Sequence, residues 1–179
     1  MIIAISGTPG SGKSTVAKEL ARRLKLKHYS VGGYMRDMAE ERKISLLELS
    51  EIAEKDMGID EELDRWQIDL GRNEDDFVID GRLSWHFIPK SIKIFLNADE
   101  KTRALRIMAD KIRKEHNVNS DTAIANMRRR EESERKRYKG YYSLDPNDEK
   151  NYYLVIDATN ITAEQVVEKI IEFLKDRKI

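Results

Sequence analysis

The chain has 179 residues, in which 33 Lys and Arg balance 33 Asp and Glu; 37% of residues are charged and 40% are apolar. That is the length of one domain with enough apolar residues for a core, and its zero net charge excludes a nucleic-acid binder held by bulk electrostatics. The absence of Cys excludes disulfides, thiolate metal sites and cysteine nucleophiles, while no apolar run nears the roughly 20 residues of a membrane span.

Ile2-Ile3-Ala4-Ile5 is apolar without alternation, the pattern of a strand buried on both faces. It lacks the charged start of a signal peptide, so a cytoplasmic location is expected, with no membrane or nucleic-acid partner. Gly7 through Gly12 is turn-forming, and Val16, Ala17, Leu20, Ala21 and Leu24 then recur at helical spacing. Lys27-His28-Tyr29-Ser30 predicts a brief second strand. From Val31 to Gly71 the pattern is helical in three pieces. Ser45 and Glu48 form a capping box that starts a helix at Leu46, and Gly58 and Asp60 punctuate the break before a helix over Glu61–Leu70. Three helices are more than one crossover needs, which suggests an inserted subdomain.

Phe77-Val78-Ile79, Ile92 to Leu96 and Tyr153 to Ile156 predict three further strands. Asp99 to Arg137 is a long charged helical stretch, interrupted near Asn117-Val118-Asn119. A Thr162/Gln165 capping box opens a last helix on Val166, Val167, Ile170, Ile171 and Leu174. Strands alternating with helices predict an α/β fold around a parallel sheet. The three histidines, His28, His86 and His116, lie far apart and show no metal-ligand spacing.

Gly7-Thr8-Pro9-Gly10-Ser11-Gly12-Lys13-Ser14 matches G-x-x-x-x-G-K-[ST] in full, with Thr15 next in the first helical turn. Glycines let the backbone curl until successive N–H groups point at phosphate oxygens, and the helix that follows presents its positive end to the same anion. Lys13 reaches the β- and γ-phosphates of a nucleoside triphosphate, and the Ser14 hydroxyl suits Mg²⁺. With a buried strand before it and an amphipathic helix after it, the motif predicts ATP binding. Asp80 ends a strand of the kind that lies beside the first. A carboxylate there serves Mg²⁺ through water; the alternative is an Asp that stabilises a turn or caps a helix.

The loop alone does not name the reaction. A hydroxyl acceptor wants a carboxylate to take its proton, yet Ser30-Val31-Gly32-Gly33-Tyr34-Met35-Arg36 offers no acid until Asp37. An acceptor that is itself a phosphate needs cations instead. Arg36, Arg82, Arg130, Arg135 and Arg137 occur where such cations are wanted. Each alone is more often a solvated surface charge, Arg82 least so because it follows a buried strand on the side where open α/β sheets bind ligands. The run Arg128–Arg137 reads equally as a helix laced with its own ion pairs.

The phosphate loop, Ser30 with Gly32-Gly33 and Arg36, Asp80-Gly81-Arg82, and Arg130 with Glu134 and Arg137 resemble the nucleoside monophosphate kinases. The nearest resemblance is to the cytidylate kinases in their short archaeal form, over almost the whole chain. It implies a three-layer P-loop kinase fold with a five-stranded parallel sheet. The core would take 1–29, 71–110 and 127–179, with a helical monophosphate-binding subdomain over about 30–70 and a short lid over about 111–126. It implies that Gly7, Thr8, Pro9, Gly10, Ser11, Gly12, Lys13, Ser14, Thr15 and Arg106 hold ATP, and that Ser14 and Asp80 serve Mg²⁺. By the same resemblance Ser30, Gly33, Arg36, Asp80, Arg82, Arg130 and Glu134 meet the acceptor, while Lys13, Arg82, Arg130 and Arg137 act in catalysis. Glu134 would stand near the acceptor sugar, where longer bacterial relatives carry Asp. One turn after Arg106, where the resemblance implies a second lid cation, this chain has Asp110, with Lys111 beside it.

The reaction so implied is transfer from ATP to CMP or dCMP by a monomer. Adenylate kinases continue the Asp-Gly step as Phe-Pro-Arg with a glutamine further on; this chain reads Asp80-Gly81-Arg82-Leu83-Ser84-Trp85 and has no Gln after that step until Gln165. Trp85 is expected in the core or an interface. A kinase for UMP or AMP, and a P-loop regulatory or assembly ATPase, are the alternatives.

Overall fold

A computed structural model describes residues 1–109 and 120–177. Strands β1 (Ile2–Gly7), β2 (Lys27–Ser30), β3 (Phe77–Asp80), β4 (Ile92–Asn97) and β5 (Leu154–Asp157) form one sheet in the order β2-β3-β1-β4-β5. Every pairing is parallel, with Ile5 opposite Asp80 on one side of β1 and Gly7 opposite Leu96 on the other. Parallel neighbours need crossovers, and these are supplied by helices on both faces. The chain crosses from β1 to the edge strand β2, returns to β3 beside β1, and then passes to β4 and β5 on the other side. Its direction therefore switches at β1, the place where open α/β sheets bind ligands beyond the carboxyl ends of their strands.

Alternate residues of the strands serve opposite faces. Ile3, Ile5, Val78 and Ile94 pack under Val16, Ala17 and Leu20 of α1 (Lys13–Leu24) and Val166, Val167 and Ile170 of α8 (Ala163–Asp176). On the other face Ile2, Ala4, Phe77, Ile79 and Phe95 meet Leu70 of α4 (Gly58–Asn73) and Trp85 of the short α5 (Ser84–Phe87). Tyr138 and Tyr142 of α7 (Ser120–Tyr142) close that layer, and Trp85 is a core residue. A third apolar cluster joins Met38 and Ala39 of α2 (Val31–Glu41), Leu49 and Ala53 of α3 (Leu46–Ala53), and Ile59 and Leu63 of α4. The remaining helix, α6 (Glu100–Ala109), follows β4. No helix of the described residues is long and apolar enough to cross a membrane.

Both capping boxes form. The Glu48 amide donates to Ser45 Oγ while Ser45 N donates back to Glu48 Oε2, and Thr162 and Gln165 reciprocate in the same way. Two boundaries differ from expectation. Gly58 and Asp60 lie inside α4 and not in the break before it: Gly58 N donates to Asp56 Oδ1 at 2.9 Å, and Asp60 and Glu61 occupy the first turn, where negative charge is favoured. Helix α7 also continues past Arg137 to Tyr142, because its tyrosines are drawn onto the sheet's second face. The expected interruption at Asn117-Val118-Asn119 and the first part of the expected lid, 111–119, lie outside the described residues; 120–126 begin α7.

Candidate active site

Gly7 to Ser14 joins β1 to α1. The turn is closed by Ser11 N donating to Thr8 O at 3.2 Å, and the helix begins with Val16 N donating to Gly12 O at 3.0 Å. Two features of the loop favour glycine. Gly10 has φ +77°, and a Cβ there would stand 2.5 Å from the Arg103 carbonyl oxygen. Gly12, the N-cap of α1, has φ +91°. The outer carbonyls are strapped by α6: Arg103 donates to Pro9 O at 3.4 Å, and Arg106 to Ser11 O at 3.2 Å and Ala158 O at 2.7 Å. Thr8 Oγ1 donates to Asn97 Oδ1 at 3.1 Å. The amides of Gly10, Gly12, Ser14 and Thr15 donate to no group among the described residues. Unspent N–H groups around a curled loop at a helix N-terminus make an anion cradle.

Beside this cradle Asp80 ends β3, buried, opposite Ile5 on one side and Ser30 on the other. Burial is the largest influence on its carboxyl and opposes ionisation. The neighbouring His28, Ser30 and Lys13 outweigh it and hold the group below the ordinary carboxylate range. Asp80 Oδ1 has no hydrogen-bond partner, and His28 Nε2, 3.8 Å away, is too far to supply one. An ionised, buried carboxylate with an open oxygen and the exposed hydroxyl of Ser14 at the head of α1 are hard oxygen donors of the kind that suits Mg²⁺.

Arg82 follows two residues later and ties this edge to the phosphate loop. One of its terminal nitrogens donates to the Gly7 carbonyl, and its Nε donates to Glu134 Oε2 at 2.6 Å. The second oxygen of Glu134 accepts from Arg130 Nε at 3.0 Å. One carboxylate thus holds two arginines. Arg82 and Glu134 side chains are each 12% exposed, Arg130 42%. Burial alone would raise the Glu134 carboxyl; Arg82, Arg130 and Lys13 overcome it and hold it at about 2.

One turn along α7, Arg137 is buried and donates from a single terminal nitrogen to both oxygens of Asp60, at 3.1 and 3.0 Å. Ser30 caps α2 by accepting from Gly33 N at 3.1 Å. Arg36, half-buried, lies over Gly32, with a guanidinium nitrogen 3.7 Å from where a Cβ would be. No hydrogen bond or ion pair among the described residues joins Arg36 to the Arg82–Glu134–Arg130 group. The structure therefore brings together Lys13, Asp80, Arg82, Glu134 and Arg130 electrostatically, with Arg106 on the far side of the loop and Arg36 and Ser30 at the start of α2.

Residues 2–160 match the model of the cytidylate kinase-like family. The chain belongs to that family. A cytidylate kinase of Methanocaldococcus jannaschii is 38% identical over 179 residues, covering 98% of this chain and 99% of that one. One from Sulfurisphaera tokodaii is 38% identical over 174 residues, covering 96% and 93%. Among solved structures, the shikimate kinase of Bacteroides thetaiotaomicron superposes with a TM-score of 0.68 over 98% of both chains at 17% identity, a likeness of fold. The five-stranded parallel sheet is thus a P-loop kinase sheet, and the protein is an enzyme of the nucleoside monophosphate kinase kind.

Within this cytidylate kinase-like protein, two charged residues at the site carried no sequence signal. Asp60 looked like loop punctuation, because its partner lies 77 positions away. Arg103, almost fully buried, was one arginine in a charged helix; it pairs with Glu131 of α7 as well as with the phosphate loop. Its spacing three residues before Arg106, on one helical face, is the only pattern that could have pointed to it.

Proposed function

We propose that the protein transfers the γ-phosphoryl group of ATP to CMP, and to dCMP, giving ADP and the nucleoside diphosphate. The observation that carries this reading is Arg82. It touches the phosphate loop through Gly7 and shares Glu134 with Arg130, so a two-arginine cation site abuts the cradle for ATP. Such a site suits an acceptor that arrives as a dianion. The edge of β2, where a hydroxyl acceptor would want a base, carries Ser30, whose hydroxyl caps α2. The choice of cytosine is supported by the relatives named cytidylate kinase.

In this reading the loop amides and Lys13 hold the transferring phosphates, and Arg106 attends the ATP side. Arg36, Arg82 and Arg130 hold the acceptor phosphate, Ser30, Gly33 and Glu134 border it, and Arg137 meets the phosphoryl group in flight. Ser14 and Asp80 would hold Mg²⁺, which when bound neutralises phosphate charge. An acceptor phosphate oxygen is already anionic near neutral pH, so no residue has to take a proton. Its bond to the γ-phosphorus forms in line as the bond to the bridging oxygen breaks, and ADP leaves. The helices of about 30–70 and a lid over about 111–126 close over both nucleotides and exclude water from the rest of the domain. The enzyme works as a cytoplasmic monomer.

The test is ADP release from Mg-ATP with CMP, dCMP, UMP, AMP and no acceptor, run side by side. Release confined to CMP and dCMP is expected. Strong release with UMP or AMP would move the acceptor assignment, and equal release in every tube would mean hydrolysis and a partner-driven ATPase.

A further inference from the structure

Asp60 stands in the first turn of α4 and is 4% exposed; Arg137, its partner on α7, is 8% exposed. A buried ion pair is a costly way to join two helices, since both charges must leave water and apolar residues of the same size serve as well or better. Burial pushes the Asp60 carboxyl above its ordinary range although Arg137 works against it, and the charge of Glu134 adds to the upward push. Two other contacts already bind the same surfaces: Tyr142 donates to Asp64, and Ser133 donates to Glu54 on the turn after α3. The pair is therefore not needed merely to dock α4 on α7.

Its distinctive effect is on Arg137. A single terminal nitrogen is spent on Asp60, while Nε is buried with no hydrogen-bond partner among the described residues. A guanidinium tethered at one corner is held in place with its other nitrogens left for a second partner, and an orphaned donor on a tethered group is a donor held for something that binds. Arg137 lies one turn from Glu134, which organises Arg82 and Arg130.

We propose that Asp60 is a positioning residue that orients the free donors of Arg137 toward the phosphates of the bound nucleotides. It rides on α4 while the arginine rides on α7, so the aim of Arg137 depends on how the α2–α4 helices sit. The inference rests on the kinase reading above.

A double-mutant cycle in steady-state kinetics with Mg-ATP and CMP tests it, using Asp60→Asn, Arg137→Ala and both together, with Tyr142→Phe as the control that breaks a different α4–α7 bond. Asp60→Asn should lower kcat by about 10–100-fold, the scale of a misaimed catalytic group, and should cost nothing further once Arg137 is Ala. Tyr142→Phe should lower the melting temperature without that loss of kcat. Multiplying losses in the double variant, or wild-type kcat in Asp60→Asn, would overturn the inference. Should Asp60→Asn fail to fold, Asp60→Glu keeps the charge and shifts the guanidinium: a folded enzyme with kcat down about tenfold or more is expected, and wild-type kcat overturns the inference. Wild-type protein that phosphorylates no nucleoside monophosphate would instead defeat the kinase reading itself.

Discussion

From Gly7 to Thr15 the phosphate cradle is one continuous piece of chain, built from backbone amides, two left-handed glycines and a helix N-terminus. The arginine cluster beside it has no such continuity. Arg82 meets Glu134 across 52 positions and Asp60 meets Arg137 across 77, and these contacts are between charged side chains. The cradle's charge comes from dipoles that no pH change alters and few substitutions touch. The cluster depends on balance: Glu134 stays ionised in a buried place only while Arg82, Arg130 and Lys13 surround it. One region is thus robust except at a few positions, and the other is fragile at each of its members.

The largest break in that contrast comes at Lys13, the one side-chain charge the cradle contributes. Lys13→Ala should cut phosphoryl transfer by at least about 10²–10³-fold, the scale of losing one preorganised donor to a developing charge, while thermal unfolding stays close to wild type. A fall in kcat of only a few-fold would remove Lys13 from the phosphate assignment.

Arg82→Ala strikes the cluster instead and should show in stability as well as rate. It leaves Glu134 buried with Arg130 as its remaining hydrogen-bonded partner and removes the tie to Gly7. Breaking a buried pair costs about 3–5 kcal/mol, because the survivor is left uncompensated; urea unfolding measures it. A cost below about 1 kcal/mol would put the pair with surface ion pairs. Use of CMP should also suffer more than residual ATP hydrolysis.

The same contrast explains what could be read in advance. Capping boxes at Ser45 and Thr162, five strands, the helical faces of α1 and α8 and the whole phosphate loop are encoded within a few residues of where they act, so periodicity and spacing reveal them. The resemblance on Asp80-Gly81-Arg82 and on the Arg130, Glu134 and Arg137 positions named the right family. It could not say that Glu134 spans both arginines, nor that Asp60 belongs to the site. A carboxylate in the first turn of a helix is what any helix start offers; only tertiary contact makes this one a partner for Arg137. The end of α7 was misjudged for the same reason, since Tyr138 and Tyr142 are held by a sheet face remote in sequence.

Within the cradle, Gly10 and Gly12 separate space from backbone conformation. Alanine at Gly12 should cost about 1–2 kcal/mol for its left-handed backbone, with open space around the new methyl, the nearest atom being Arg106 at 3.9 Å. At Gly10 the same strain is joined by a collision with the Arg103 backbone, adding about 1–3 kcal/mol of overpacking. Equal melting temperatures for the two variants would mean that α6 can retreat from the loop.

The cluster should also reveal itself in acid. Glu134 titrates at about 2 in the folded protein against 4.5 for the free side chain, so its stabilisation, roughly 3 kcal/mol, is complete above pH 4.5 and is lost as the pH falls toward 2. Asp64 runs the other way: burial, the first cause, raises it to about 6 against the bond from Tyr142, so its contribution is present below about pH 4 and is lost as the pH rises through 6. Glu134→Gln should flatten the acid limb of the unfolding curve, and Asp64→Asn the limb between pH 4 and 6. A Glu134→Gln variant that loses stability in acid as steeply as the wild type would show that other carboxylates govern that limb.

The smallest effect is expected two positions from one of the larger ones. Arg128 makes a two-point ion pair with Glu100, at 2.6 and 2.7 Å, geometrically better than the single bond from Arg130 to Glu134. Its side chain is nevertheless 66% exposed, its partner is a surface group, and water screens both. Arg128→Ala should leave kcat, the KM for CMP and the melting temperature at wild-type values. Arg130→Ala, on the same helix and also partly exposed, should raise the KM for CMP, because its partner Glu134 is buried against Arg82 beside the phosphate loop. What separates the two arginines is where the carboxylate at the far end of the bond is kept. A comparable rise in KM for both would mean that α7 acts through its total charge and not through the arrangement around Glu134.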